Sequence, residues 1–128
     1  MPITFRVDHK RRVVFATGSG TLTDADVFGY QGDVWSREDL RGYHELVDMT
    51  GVEHISLPSP ERVRELAELS AKMDWDAGTT KFAIVAPATL AYGLGRMFQT
   101  YRAMEKRSTK EVGVFRTQRE AFEFLGID

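Results

Sequence analysis

Asp48, His54 and Ser56 are the residue types of a nucleophilic triad, in which a carboxylate orients an imidazole that takes the proton of a hydroxyl. They fall within nine residues of one another, and no Gly-x-Ser-x-Gly elbow surrounds Ser56 to lift its hydroxyl out of a strand-to-helix turn. The spacing therefore gives no support to nucleophilic catalysis, and no catalytic residue is assigned. Another chemistry suits the same stretch, LVDMTGVEHISLPSPERV, residues 46 to 63. Asp48 and Thr50 suit an Asx-type turn, with Gly51 taking a positive φ. Ser59 precedes Pro60-Glu61 as the N-cap of a helix, whose free N–H groups and partial positive charge would stabilise an anion or an added phosphate. Asp48, Thr50, Ser56 and Ser59 thus form a candidate partner- or ligand-contacting loop at the carboxyl end of a parallel strand.

Other chemistries find less support. His9, His44 and His54 lie far apart with no ligand spacing, so no metal site is expected. The chain has no cysteine, which removes disulfides, thiolate catalysis and zinc ribbons and fits a reducing compartment. Gly93-Leu94-Gly95 sits inside a helix and lacks the spacing of a dinucleotide fingerprint or a P-loop, so no cofactor is expected. Two helix glycines cost about 1 kcal/mol each relative to alanine, which points to close packing on the sheet or against a second copy of the helix.

Charge narrows the partners. Net charge is -2, and no aromatic-basic platform accompanies the basic residues, so nucleic acid is not expected. Residues 96 to 110 carry Arg96, Arg102, Lys106, Arg107 and Lys110 against one acid, Glu105, a local net of +4. The helix before them carries Glu61, Glu65 and Glu68. Two solvated helix faces explain this; the alternative is a basic patch for an anionic head group or an acidic partner. The N-terminus has charge where a signal peptide needs an apolar run, and no apolar stretch approaches the ~20 residues that span a bilayer. A cytoplasmic protein that does not span a membrane is expected.

The elements that must position these residues follow from hydrophobic period. Ile3, Phe5 and Val7 alternate on one face of a strand, a polar turn follows, and RVVFATG returns as the second strand of a hairpin, ended by Gly18 and Gly20. Thr23 with Asp24 and Asp26 starts a helix. Residues 43 to 49 form the third strand. Ser59 caps a helix with an inner stripe of Val63, Leu66, Ala67, Ser70 and Met73. KFAIVAP is apolar on both faces, as a central parallel strand is. The longest helix is expected over about 87–106, then a strand EVGVFR and a last helix from Thr117 to Gly126. Strands alternating with helices give an α/β domain with a mostly parallel sheet.

In this order GTLTDADV (20–27), LVDMTGVE (46–53), FAIVAPATLAYGLGRMFQTY (82–101) and VFRTQREAFEFL (114–125) resemble the SpoIIAA-like branch of the STAS superfamily, which is related to the CRAL-TRIO lipid-binding fold. The resemblance spans nearly all of the chain, 1–128, as one domain. It implies a mixed, mostly parallel five-stranded sheet with about four helices, in the order 1-3-2-4-5 with strand 1 antiparallel. Asp48-Met49-Thr50-Gly51-Val52 matches the first motif of the regulatory STAS loop. Ser56-Leu57-Pro58-Ser59 replaces the second, with leucine and proline at its two serine positions, so the phosphoacceptor does not carry over.

The resemblance implies a non-enzymatic regulatory or protein-interaction module that binds a protein partner and itself as a homodimer. The alternative is a small-molecule or lipid-binding domain with a pocket between the long helix and the sheet, taking a small apolar or anionic ligand. Trp35, Trp75, Tyr92, Phe98 and Tyr101 are large groups for a core, an interface or such a pocket. Tyr92, Arg96, Phe98 and Tyr101 are its candidate residues on the long helix. A carrier needs a cavity of several hundred Å3, and four helices over this chain are not expected to leave that room.

Overall fold

Asp8 fixes the first turn. Its carboxylate accepts the backbone N–H of Arg11 at 2.9 Å and pairs with the Arg11 guanidinium at 2.7 Å, while Arg12 reverses the chain at φ +58°. The reversal joins β1 (Ile3–Asp8) to β2 (Val13–Thr23) as an antiparallel hairpin, with Asp8 opposite Val13. The structure, a computed structural model, describes residues 2–56, 59–73, 79–105 and 110–128. After the hairpin come α1 (Asp24–Val34), a 3-10 turn (Glu38–Leu40), β3 (His44–Ser56), α2 (Pro60–Lys72), β4 (Lys81–Val85), α3 (Thr89–Ala103), β5 (Glu111–Phe115) and α4 (Gln118–Leu125).

The sheet order is β1-β2-β3-β4-β5, with β2 to β5 parallel. The expected order 1-3-2-4-5 is therefore incorrect. The physical reason lies in the Asp8 turn. A hairpin closed this tightly keeps β1 and β2 one strand spacing apart, ~4.8 Å, and no third strand fits between them. The hairpin read from the sequence and the order implied by the resemblance exclude each other, and the hairpin prevails.

Each later crossover advances by one strand in the same direction. Right-handed connections then place α1, α2 and α3 on one face of the sheet. Phe82, Ile84 and Val114 pack there with Val63, Leu66 and Phe98, and Val14 packs with Val34 and Trp35. The alternate residues Val13, Phe15, Leu46, Ala83 and Val85 face Ala121 and Leu125 of α4 on the other side. The run from Phe82 to Ala86 is buried throughout, as its two-sided apolarity requires.

β2 and β3 are longer than their sequence limits. Gly18 and Gly20 do not end β2; the strand continues to Thr23, and β3 continues past Met49 to Ser56, pairing Ser19 with Gly51 and Thr23 with Ser56. The pairing shifts register between Thr17 and Ser19, so the glycines sit at bulges and not at a strand end. A Cβ at Gly18 would lie 2.9 Å from Val52 Cγ2, and Gly20 has φ +65°. β4 pairs with β3 only as far as Asp48, so beyond that point β2 and β3 form a two-stranded ribbon.

The caps follow the sequence. Thr23 and Asp26 make a reciprocal capping box on α1, Ser59 accepts the Arg62 N–H at 3.3 Å on α2, and Thr117 accepts from Glu120 on α4, which Gly126 ends at φ +74°. The long helix is shorter than 87–106: it begins at Thr89, after Pro87 and the N-cap Ala88, and ends at Ala103. Gly95 explains one helix glycine. A Cβ there would lie 3.0 Å from Val114 Cγ1, so α3 rests its backbone on β5. Gly93 meets nothing within 4 Å and is not needed for that contact.

Candidate functional site

The expected loop at Asp48 is strand. Thr50 donates its backbone N–H at 2.9 Å and its hydroxyl at 2.6 Å to Asp48 Oδ1, the Asx-type closure read from the sequence. Three residues of β3, Asp48 to Thr50, span two of β2 here, so the motif is the hinge of a bulge. Gly51 does not take the positive φ expected of it; Gly20 across the ribbon does. Glycine is needed at 51 for approach instead, since a Cβ would lie 3.3 Å from the Gly18 carbonyl oxygen. His54 and Ser56 are exposed on the ribbon, and the oxygen of Asp48 is directed at Thr50. Ser59 is engaged as a cap, and Leu57 and Pro58 lie outside the described residues.

The described residues of the basic run do not share one exposure. Arg96 is exposed, Arg102 is only 3% exposed, and Lys110 lies over the Trp35 ring at 4.6 Å. Lys106 and Arg107 lie outside the described residues, as does Trp75. The glutamates of α2 pair with its own arginines: Glu61 and Glu68 with Arg64, Glu65 with Arg62. Arg62 also reaches Asp24 at 3.0 Å and stacks over Phe28 at 4.1 Å, clamping α1 to α2. His9 meets the Tyr43 hydroxyl, and His44 Nδ1 accepts the Lys81 N–H at 2.9 Å. Among the described residues no three His, Asp or Glu side chains gather to hold a metal ion.

A cavity of about 110 Å3 lies between the sheet and the layer of α1, α2 and α3. Its wall is almost wholly apolar, built by Leu22, Val47, Val63, Leu66 and Ile84 among others. From α3 it takes Ala91, Leu94, Gly95 and Phe98. Of the four helix candidates, Phe98 alone faces it, edge-on to Phe82 with centroids 5.7 Å apart. Tyr92 and Tyr101 pack against the core beside it, and Tyr92 carries the Arg116 guanidinium at 4.0 Å. The volume falls below the several hundred Å3 of a carrier, as the chain length suggested.

Three polar side chains break the apolar wall: Tyr30 and Gln31 of α1 and Glu45 of β3. Glu45 is 4% exposed, in a strand covered on both faces. Tyr30 donates its hydroxyl to Glu45 Oε2 at 2.7 Å, and Trp35 Nε1 donates to the same oxygen at 3.0 Å and to the Tyr30 oxygen at 3.1 Å. Burial pushes the Glu45 carboxyl above the usual carboxylate range, against Lys110, the Tyr30 and Trp35 donors and Arg102, which pull it down. Burial, and then the Glu45 charge, push the Tyr30 hydroxyl well above its ordinary value, so it keeps its proton and donates. Gln31 directs its amide nitrogen at Met73 Sδ, 3.8 Å away.

Sequence reading missed this group. Its signal was present: Glu45 interrupts an apolar strand of a sheet expected to be helix-covered, and a carboxylate there has to be buried and partnered. What periodicity could not supply was the partner, since Tyr30 and Trp35 reach Glu45 only after α1 docks.

No protein-family model matches the chain, and no curated protein matches it. Among solved structures it is similar to an uncharacterized protein of the DUF3478 family from Shewanella loihica PV-4, described as having a SpoIIAA-like fold. The match has 18% identity and a TM-score of 0.57 and covers 96% of this chain and 93% of that one. No helix among the described residues is long and apolar enough to cross a membrane. With five strands and four helices in this arrangement, the chain has the SpoIIAA-like fold that its residues resemble.

Proposed function

We propose that this chain is a non-enzymatic binding module whose ligand is a small apolar molecule held in the cavity under α1, α2 and α3. The cavity carries the reading: an apolar space of about 110 Å3 with a buried carboxylate at its wall. Such a void forfeits the dispersion contacts of its lining atoms and enlarges the destabilising cavity term, so an occupant that fills it is favoured. The volume is smaller than the ~150 Å3 of a cavity that holds benzene, so the occupant is at most a small ring or short chain and not a whole lipid.

Methyl NMR during titration with toluene tests this. Shifts confined to Leu66, Ile84, Val47 and Val63 support the reading. An unperturbed spectrum at toluene saturation, with phenol equally silent, would sink it.

A second reading, a protein-interaction module that self-associates, is favoured by the outer face of α3. Leu90 and Met104 are 63% and 68% exposed, and Gly93 lies open between them on the same helical stripe. A helix of a second copy fits such a notch. Sedimentation equilibrium should then report a dimer that Gly93→Glu dissociates; a monomer at high concentration rejects it. Exposed Ser56, at the ribbon tip, is the hydroxyl of that loop best placed for a partner.

A further inference from the structure

We propose that a second copy of this chain pairs antiparallel with the edge of β3 beyond Asp48, Val52 against Ile55 and Glu53 against His54 about a two-fold axis. The surface is separate from the cavity and from the α3 notch, and the proposal rests on neither reading. β4 pairs with β3 only from Glu45 to Asp48. From there β3 runs on to Ser56 beside β2, and among the described residues no other backbone is hydrogen-bonded to residues 50–56. Thr50, Gly51, Glu53, His54 and Ser56 are exposed along this stretch. A strand edge of this kind presents N–H and C=O groups that an added strand satisfies.

The side chains choose the occupant. Strand side chains alternate, so Gly20 and Leu22 share one face of β2, and Leu22 lines the cavity. Their partners Val52 and Ile55 therefore share that face too, whereas His54 and Ser56 oppose Thr21 and Thr23 on the other. Glu53 is the extra residue of a bulge, inserted between Val52 and His54. Along the edge, an apolar residue thus flanks each side of a central acid and imidazole. A second copy turned about an axis through the bulge meets the same order. Val52 then faces Ile55 and a Glu53 carboxylate faces a His54 imidazole, each pair occurring twice. A parallel copy in register would instead set Glu53 against Glu53, and like charges directly opposite are destabilising. A bulge turns an edge away from a straight partner. Here the two bulges lie opposite one another, so both strands turn together.

Complementary variants of the full chain test the pairing by sedimentation equilibrium. All of them carry Gly93→Glu, which closes the α3 notch, and this parent should remain a dimer. Glu53 and His54 are both exposed, so substitutions there should leave the fold in place, which thermal unfolding checks. Glu53→Lys sets an ammonium against His54, and His54→Glu sets a carboxylate against Glu53. Each change falls twice in the dimer and should weaken it about tenfold. In an equimolar mixture the introduced lysine of one chain faces the introduced glutamate of the other, while native His54 faces native Glu53. The mixture should dimerise about as tightly as the parent.

Recovery in the mixture supports the pairing and its register together. A parent that stays monomeric at high concentration overturns the proposal, and so does a dimer that neither variant weakens. Weakening in both variants without recovery in the mixture overturns it as well, because no other antiparallel register was argued. A native chain that dimerises only without Gly93→Glu assigns the dimer to α3, which overturns the β3 pairing and leaves the α3 reading standing.

Discussion

Ala91→Leu decides by its sign whether the space under α3 is a true cavity. Ala91 is 4% exposed and lines it from the helix. Leucine adds three carbon groups, and at ~0.8 kcal/mol per buried methylene their burial is worth about 2.4 kcal/mol. Lost rotamer freedom returns ~0.5–1 kcal/mol of that, and leucine is nearly as good a helix former as alanine. The net expectation is a stabilisation of about 1–2 kcal/mol. In a filled core the same substitution would overpack and destabilise by about 1–3 kcal/mol. The two cases thus differ in sign by several kcal/mol, well above the error of urea unfolding. The assay is equilibrium unfolding in urea with the m-value held as a check on compactness, alongside thermal unfolding. The same variant should abolish toluene binding, because its side chain occupies the ligand's place. A lower unfolding midpoint at unchanged m would refute the cavity and with it the binding reading.

Three further outcomes are expected. Glu45 and His44 should give pH dependences of opposite sign. The Glu45 carboxyl is raised by burial, so its contribution is fully present below about pH 4.5 and declines as pH rises through its folded value. His44 is held below its ordinary value by burial and then by Lys81, Lys110 and Arg12, so its contribution is present above about pH 6.5 and is lost as pH falls through the folded value. Unfolding curves from pH 4 to 9 should show Glu45→Gln removing the decline on the alkaline side and not the acid one; the reverse assignment refutes the argument. Gly93→Ala should stabilise α3 by about 0.5–1 kcal/mol, since glycine is a poor helix former and nothing lies within 4 Å of the added Cβ. Gly95→Ala should do worse than Gly93→Ala, because Val114 Cγ1 at 3.0 Å must give way; equal effects in thermal unfolding would count against the α3–β5 contact. Ser59→Ala should lose about 1 kcal/mol of helix capping, whereas Ser56→Ala, at an exposed strand end, should be neutral, and equal losses would reject the cap assignment.

The sequence by itself determined the elements and most of their ends. Thr23, Ser59, Thr117 and Gly126 act where they were read, because a cap depends on residues within one turn of it. The two-sided apolarity of Phe82 to Ala86 placed a central strand for the same kind of reason, since covering a strand on both faces favours apolar residues at successive positions. Tertiary structure decided what depends on distant partners. Gly18 and Gly20 read as an end of β2, yet pairing to β3 carried the strand through them as bulges. Asp48 and Thr50 close the Asx-type turn read from the sequence, but pairing with β2 makes it a bulge within a longer strand, and Ser56 lies exposed on the ribbon. Glu45, passed over as one residue of a strand, became the buried acceptor of Tyr30 and Trp35. Tyr30 and Trp35 precede it by 15 and 10 positions, and no period in the chain links them. Their meeting follows from the right-handed crossover that docks α1 beside β2, from where Tyr30 and Trp35 reach Glu45 of β3.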